Sequence, residues 1–441
     1  MTTLPQLATT MQMVLTEQAE RAGIQTGFVK RSDAKLTGSI FTQTLVFGLG
    51  ANPHASLAAL TQTAATLGVE LTPEALHQRF GREAASTLEQ VLCAAVRQLV
   101  MVEPIMLPIL ERFADVVVQD STTISLPEAL LEVWRGCGNG SPDAGNAAIK
   151  LHVSLGLRTG RLRGPTLHDG RESDHHATLH HDLPATAVRL VDLGFWDLAL
   201  LAELEQQQVY WFSRCQSMTA IRTEDRRWWT LLELLEASSE ASIDLAVVLG
   251  KEAQVAARLL ALRAPQEVVD QRRRRLREEG RQKGQSVSAL RLALAGWTVF
   301  VTSIPVEMLS VEEAVVLARA RWQIELLFKL WKSQGQIDLV REVQPWRVLC
   351  EMYGRLVGQI IQHWVILVSC WEEVERSMIK AAQTIQNYWV SLAMAMKHEQ
   401  RLVEILTTVK RCIRVGCRLN KRKAKPNTCQ LFLAFAQSCP A

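Results

Sequence analysis

Ala318-Arg319-Ala320-Arg321-Trp322-Gln323-Ile324-Glu325-Leu326-Leu327-Phe328-Lys329-Leu330-Trp331-Lys332 carries the charge pattern from which the rest of the chain can be organised. On a helix of about 3.6 residues per turn, Arg321, Glu325 and Lys332 fall at roughly 0°, 40° and 20°, a single stripe. Trp322, Ile324, Leu327 and Phe328 flank that stripe with apolar groups. By spacing alone it reads either as a surface salt-bridge ladder or as a charged strip beside a packed face.

Moving outward, Ser310 and Glu313 have the spacing of a capping box, and the pattern predicts one helix from Val311 through Lys332. Before it, Trp297-Thr-Val-Phe-Val-Thr-Ser303 reads as a strand ended by Pro305. Far upstream, Asp115-Val-Val-Val-Gln-Asp120 is a β-branched run, extended through Leu126 until Pro127. After a Gly-rich loop (Gly136 to Gly145), Ala148 to Leu157 and Leu162 to Leu167 form a predicted hairpin around Arg158-Thr-Gly-Arg161. Thr186 to Val191 is β-like and ends at Asp192-Leu193-Gly194; Asp197 to Gln206 is helical, and Val209 to Ser213 extended. Strand, hairpin, strand, helix, strand is the order of an RNase H-like α/β domain.

Five regions follow: a helical N-terminal region (1–108), the first part of the α/β core (109–215), a basic, mixed segment that interrupts it (216–296), the second part of the core (297–380) and a basic helical C-terminal region (381–441). In the first, a helix from Ser56 to Leu67, a break at Gly68 and a second helix opened by Thr72-Pro73-Glu74 resemble a helix-turn-helix, which would bring His77, Gln78 and Arg79 to DNA.

The net charge of +4 says little about partners, but its distribution says more. Arg272-Arg273-Arg274-Arg275 and the stretch from Lys410 to Lys425 concentrate positive charge, as solvated faces or as polyanion contacts. Nine cysteines form no CxxC pair and read as reduced thiols of a soluble, cytoplasmic protein. Leu356 to Trp371, broken by Gln359, Gln362 and His363, is too short to span a bilayer and reads as a buried helix. His168, Asp169, Asp174, His175, His176, His180, His181 and Asp182 have metal-ligand types without regular spacing, which reads as a solvated loop or a metallohydrolase seed.

The helix stretch resembles the signature of the insertion-sequence-4 family of DDE transposases: Tyr, two residues, Arg, three residues, Glu, six residues, Lys. Arg321, Glu325 and Lys332 match, while Ala318 stands where the family usually has Tyr. Asp120-Ser-Thr-Thr with Leu126-Pro127 is similar to the family's first-aspartate motif, and Asp192-Leu-Gly-Phe-Trp to its second.

The resemblance implies a β-rich insertion with its Arg272 to Arg275 cluster, and a catalytic triad of Asp120, Asp192 and Glu325 holding Mg²⁺, with Mn²⁺ as a substitute. Hard cations want such carboxylate oxygens, and a two-metal site activates the nucleophile and stabilises the leaving oxygen. It further implies phosphate contacts from Arg321 and Lys332, and base handling by Trp297 and Trp322, where an aromatic of a core strand is the plain alternative for Trp297. The implied partners are double-stranded DNA (terminal inverted repeats and target) and a second copy of the chain, a homodimer on paired ends. A metal-dependent nuclease on the same fold and a DNA-binding relic are the competing readings.

Overall fold

In a computed structural model of the chain, the run after Asp115 becomes β1 (Val116–Ser125), one strand that stays extended through Asp120. The structure describes residues 1–138, 145–176, 179, 181–340, 344–420 and 426–438. It divides into two compact units. One comprises Met1–Met106, Ser121–Glu172 and Gln323–Cys429, the other Leu107–Asp120, Ser173–Trp322 and Gln430–Ala441. The chain passes between them inside β1 and at the start of the signature helix.

The remaining strands are β2 (Arg135–Gly138), β3 (Gly145–Gly156), β4 (Leu162–Asp169), β5 (Val188–Leu190), β6 (Tyr210–Arg214), β7 (Ile221–Arg222), β8 (Trp228–Trp229), β9 (Ser242–Leu249), β10 (Val255–Arg263) and β11 (Trp297–Thr302). In the second unit the order is β1-β5-β6-β11-β10-β9-β7-β8. β1, β5 and β6 are parallel; from β6 outward every pairing is antiparallel. Parallel neighbours need a crossover. The helix Leu198–Gln206 supplies it between β5 and β6, with its first amides capped by the Asp197 carboxylate. The strands of 216–296 therefore continue the parallel sheet, joined to it through β11. Trp211, Trp297, Leu204, Leu235 and Leu249 pack the core on this sheet.

One expected helix is two. Val311–Ala320 opens on the capping box, where Ser310 accepts from the Glu313 amide and the Glu313 carboxylate accepts from the Ser310 amide. Glu313 also takes a forked pair of hydrogen bonds from Arg112, at 2.8 and 2.6 Å. The ladder then breaks at Arg321, although its φ of −52° and ψ of −32° stay helical, and Trp322–Ser333 follows.

In the first unit, β3 is flanked by β2 and β4, and the helix Pro345–Cys370 is buried from Arg347 to its end. Gly38–Ala51, Arg82–Val96 and Glu399–Gly416 pack around it. The stretch read as a buried helix lies inside it up to Cys370, with Trp371 as its C-cap, and no helix of the described residues is long and apolar enough to cross a membrane. The β3–β4 turn presses on this helix. Gly160 sits at φ +72°, and a Cβ there would lie 2.3 Å from Leu367 Cδ2 and 2.5 Å from the Trp371 ring. Only glycine meets both demands. Its carbonyl is 2.8 Å from Nε2 of the buried His363.

Burial pushes the His363 imidazole down to about 4 from its ordinary 6.5. A His held neutral in the folded state gives full stability above its unfolded pKa, and loses it as pH falls from about 6.5 towards 4. The loss amounts to roughly 3 kcal/mol. Denaturation midpoints measured between pH 7 and 4 should fall less steeply for His363→Gln, once each curve is referred to its own pH 7 value.

The helix-turn-helix expectation meets a different geometry. Leu57–Thr66 is followed by Pro73–His77, a helix of five residues. Arg79 donates to the Phe28 carbonyl at 2.6 Å and stacks over the Phe28 ring, so its guanidinium serves the fold.

Candidate active site

Parallel register brings the two aspartates together. Val118 pairs with Leu190 and Leu190 with Phe212, across β1, β5 and β6. Two residues further on, returning to the same face of the sheet, stand Asp120 within β1, Asp192 just beyond β5 and Arg214 at the end of β6, a row across three adjacent strands. Open α/β sheets place ligands at the carboxyl ends of such strands.

Asp192 uses its two oxygens separately. Oδ1 accepts from the Leu193 amide at 2.7 Å and caps the short 3₁₀ turn Leu193–Phe195. Oδ2 lies 3.6 Å from an Arg321 guanidinium nitrogen, and the other terminal nitrogen lies 3.6 Å from Asp120 Oδ2. The break in the helix falls at the residue whose side chain spans both carboxylates.

Two carboxylates gathered around one positive charge are a donor set of the hard-oxygen kind that Mg²⁺ or Mn²⁺ takes. The position between them is filled by Arg321, and among the described residues no group of three or more His, Cys, Asp or Glu side chains could hold a metal ion. Glu325 lies in the first turn of Trp322–Ser333, half-buried and one helical turn beyond Arg321. Lys332, in the last turn, donates to the Thr123 carbonyl at 3.4 Å, within the first unit.

The other candidates separate. Trp297 is 9% exposed and packed in the sheet core, with Arg263 stacked 4.5 Å from its ring, whereas Trp322 is 59% exposed. Arg272–Arg275 lie on the helix Gln266–Gln282. Arg272 donates to the Ala295 and Trp297 carbonyls and to Thr298, and Arg273 to the Leu292 carbonyl. Arg274 and Arg275 face solvent, Arg275 beside Glu279.

Of the histidine-rich segment, His168 pairs with Glu172 at 3.2 Å and His181 lies 3.8 Å from Glu203; His180 lies outside the described residues. So do Lys421, Arg422, Lys423 and Lys425 of the basic C-terminal stretch.

Arg214 is the residue that sequence reasoning missed. It is exposed at the end of β6, opposite Phe300. Its charge, after burial, is a cause of the lowered affinity of Arg272 for its proton, so the two guanidiniums are close enough to repel. The available signal was an arginine directly after a strand that runs parallel to the one ending at Asp192.

A family model described as "Transposase DDE domain" matches residues 111–358, a span that contains the aspartate row and the signature helix. The chain is 24% identical over 387 residues to the transposase for insertion sequence element IS231F of Bacillus thuringiensis subsp. israelensis, covering 82% of this chain and 80% of the relative. Against the IS231C transposase of Bacillus thuringiensis subsp. berliner it is 25% identical over 437 residues, covering 91% and 90%. The IS1151 transposase of Clostridium perfringens is 22% identical over 370 residues, covering 77% of each chain. With the matched span enclosing both aspartates, Arg321, Glu325 and Lys332, the chain belongs to the DDE-domain transposase family.

Proposed function

We propose that this protein is a cut-and-paste transposase of the insertion-sequence-4 kind, which cuts DNA at the terminal inverted repeats of its element and joins the freed ends to target DNA. The observation that carries this reading is the row Asp120–Asp192–Arg214, with Arg321 held 3.6 Å from each aspartate. An RNase H-like core formed by the segments 109–215 and 297–380 is part of the same reading. It is supported by parallel β1, β5 and β6 and the crossover helix. The regions 1–108 and 381–441 are assigned to DNA binding and to pairing of two copies on two ends.

In this proposal Asp120, Asp192 and Glu325 hold the divalent metal. A bound Mg²⁺, or Mn²⁺ in its place, would lower the pKa of the attacking water or 3′-hydroxyl and neutralise charge on the leaving oxygen. Arg321 presents a planar fork and Lys332 a point charge to the phosphates flanking the cut. Arg214 extends the positive side of the row for the same strand. Trp322, exposed beside Arg321, is the aromatic available to a displaced base. Such stacking contributes about 1–3 kcal/mol per base. Trp297 would need its core packing loosened to do the same. Arg274 and Arg275 are the members of their cluster free to meet the DNA backbone.

The test is incubation of the full chain with terminal-end DNA and a target plasmid. Joined product is expected with Mg²⁺ or Mn²⁺, and none with excess EDTA while the DNA–protein complex still forms. Nicking without joining, even of pre-cut ends, would move the reading to a nuclease. Binding without any cutting would move it to a relic.

A further inference from the structure

Beneath the aspartate row, on the reverse face of the sheet, lies a buried cation. Arg189, in the middle of β5, is 1% exposed. Its Nε donates to Gln119 Oε1 at 3.0 Å, and Gln119, itself 2% exposed, immediately precedes Asp120 on β1. The guanidinium carbon lies 5.8 Å from the ring centroid of Phe195, the last residue of the turn that Asp192 caps. Val191 and Phe195 form a small buried cluster of their own around that turn.

Side chains alternate across a strand, so Gln119 and Arg189 point away from the face that carries Asp120 and Asp192. One guanidinium therefore grips the residue next to the first aspartate and the turn that follows the second.

This is a costly choice for packing alone. Burial lowers the Arg189 pKa to about 10, opposed by the charge of Asp197. Its Nη1 and the Gln119 Nε2 are buried without a hydrogen bond to any described residue. Apolar side chains of similar volume commonly serve a core as well or better than buried ions. What an apolar residue cannot do is fix the amide of Gln119 and the Phe195 ring to a common point.

We infer that Arg189 is a positioning residue that sets the spacing of the Asp120 and Asp192 carboxylates from behind the sheet, through Gln119 on one strand and the Phe195 turn on the other. This rests on the proposed metal-holding role of the two aspartates. Residues behind metal ligands act on affinity by about 10–100-fold.

The experiment is Mn²⁺ binding to the full chain without DNA, followed by electron paramagnetic resonance, with thermal melting recorded in parallel. Wild type should bind Mn²⁺, and Asp120→Asn with Asp192→Asn should lose that binding. Arg189→Met, which keeps length and loses charge and donors, should weaken binding about tenfold. Arg189→Lys, which keeps a charge and a donor, should recover most of the loss. If Arg189→Met does not fold, Gln119→Leu removes the same link from the other side and should weaken binding in the same direction.

Unchanged Mn²⁺ affinity in the variant that folds, with only its melting temperature lowered, overturns the positioning role while the aspartate site stands. Wild-type binding that is absent, or indifferent to the paired aspartate substitutions, overturns both readings.

Discussion

Replacing Asp120 or Asp192 by Asn should reduce DNA joining by at least about a thousandfold, the upper range for losing one preorganised electrostatic group at a reacting centre. Affinity for terminal-end DNA should stay the same or rise. Asn is nearly isosteric, so the strand ends and the turn at Leu193 keep their shape. In Asp192→Asn the new side chain can still accept from the Leu193 amide through its carbonyl oxygen, as Oδ1 of Asp192 does. What disappears is one of the two negative charges that face Arg321 at 3.6 Å. With less carboxylate to neutralise, the Arg321 fork is freer to take a phosphate, which is why binding should not suffer. Glu325→Gln should show the same split between joining and binding. Joining by any of the three variants at a tenth of the wild-type rate or better, in Mg²⁺ at saturating DNA, would remove that carboxylate from the proposed triad. The comparison is informative only in gel-shift and joining assays run on the same preparations, since a folding defect would depress both.

Much of the fold was legible because its signals are local. The β-branched run after Asp115, the Ser310–Glu313 capping box, the strand from Trp297 and the hairpin turning at Gly160 all use residues whose preferences act within a few positions. The break at Arg321 was not legible, because the apolar period runs unbroken from Val311 to Lys332. What interrupts the ladder coincides with a long-range contact, the reach of Arg321 to aspartates on two other elements. The short length of the Pro73–His77 helix was not legible for a related reason. Thr72 and Pro73 mark a helix start faithfully, as the cap on the Ala75 amide shows, but nothing local announces that the helix stops after five residues.

For the candidate site the division is sharper. The family resemblance singled out Asp120, Asp192, Glu325, Arg321 and Lys332 as candidates, whereas Arg214 became visible only through register. Three segments far apart in sequence bring Asp120, Asp192 and Arg214 level with one another because Val118, Leu190 and Phe212 are cross-strand partners. A one-residue slip in either pairing would turn one member of the row to the other face. The same register places Gln119 and Arg189 behind the row. Periodicity also explains why the four consecutive arginines from Arg272 are not equivalent. Helical spacing turns Arg272 and Arg273 toward the carbonyls at the start of β11 and just before it, and leaves Arg274 and Arg275 outward.

Glu351→Gln should destabilise the unit built on the helix Pro345–Cys370 by about 3–5 kcal/mol, the usual cost of removing one member of a buried ion network. Glu351 stands between two arginines on one face of that helix: Arg347 donates to Oε1 and Arg355 to Oε2, each at 2.9 Å. The side chains of Arg347, Glu351 and Arg355 are 7%, 7% and 2% exposed, so solvent cannot replace the lost charge. Gln keeps the shape and one acceptor but leaves two guanidiniums with no carboxylate between them in the helix interior. Arg355 is further committed to the Pro53 and Leu339 carbonyls, at 3.1 and 3.3 Å, and cannot swing outward without giving these up. The physical claim is that the damage comes from the carboxylate lost between the two guanidiniums rather than from lost volume. Arg347→Met combined with Glu351→Leu should therefore be less destabilising than Glu351→Gln alone, since it removes one of the two cations together with the carboxylate. Urea denaturation monitored by circular dichroism measures both. A Glu351→Gln midpoint within error of wild type would mean that the arginines reach water despite their burial. A double variant less stable than the single one would assign the stabilisation to the ion pairs themselves.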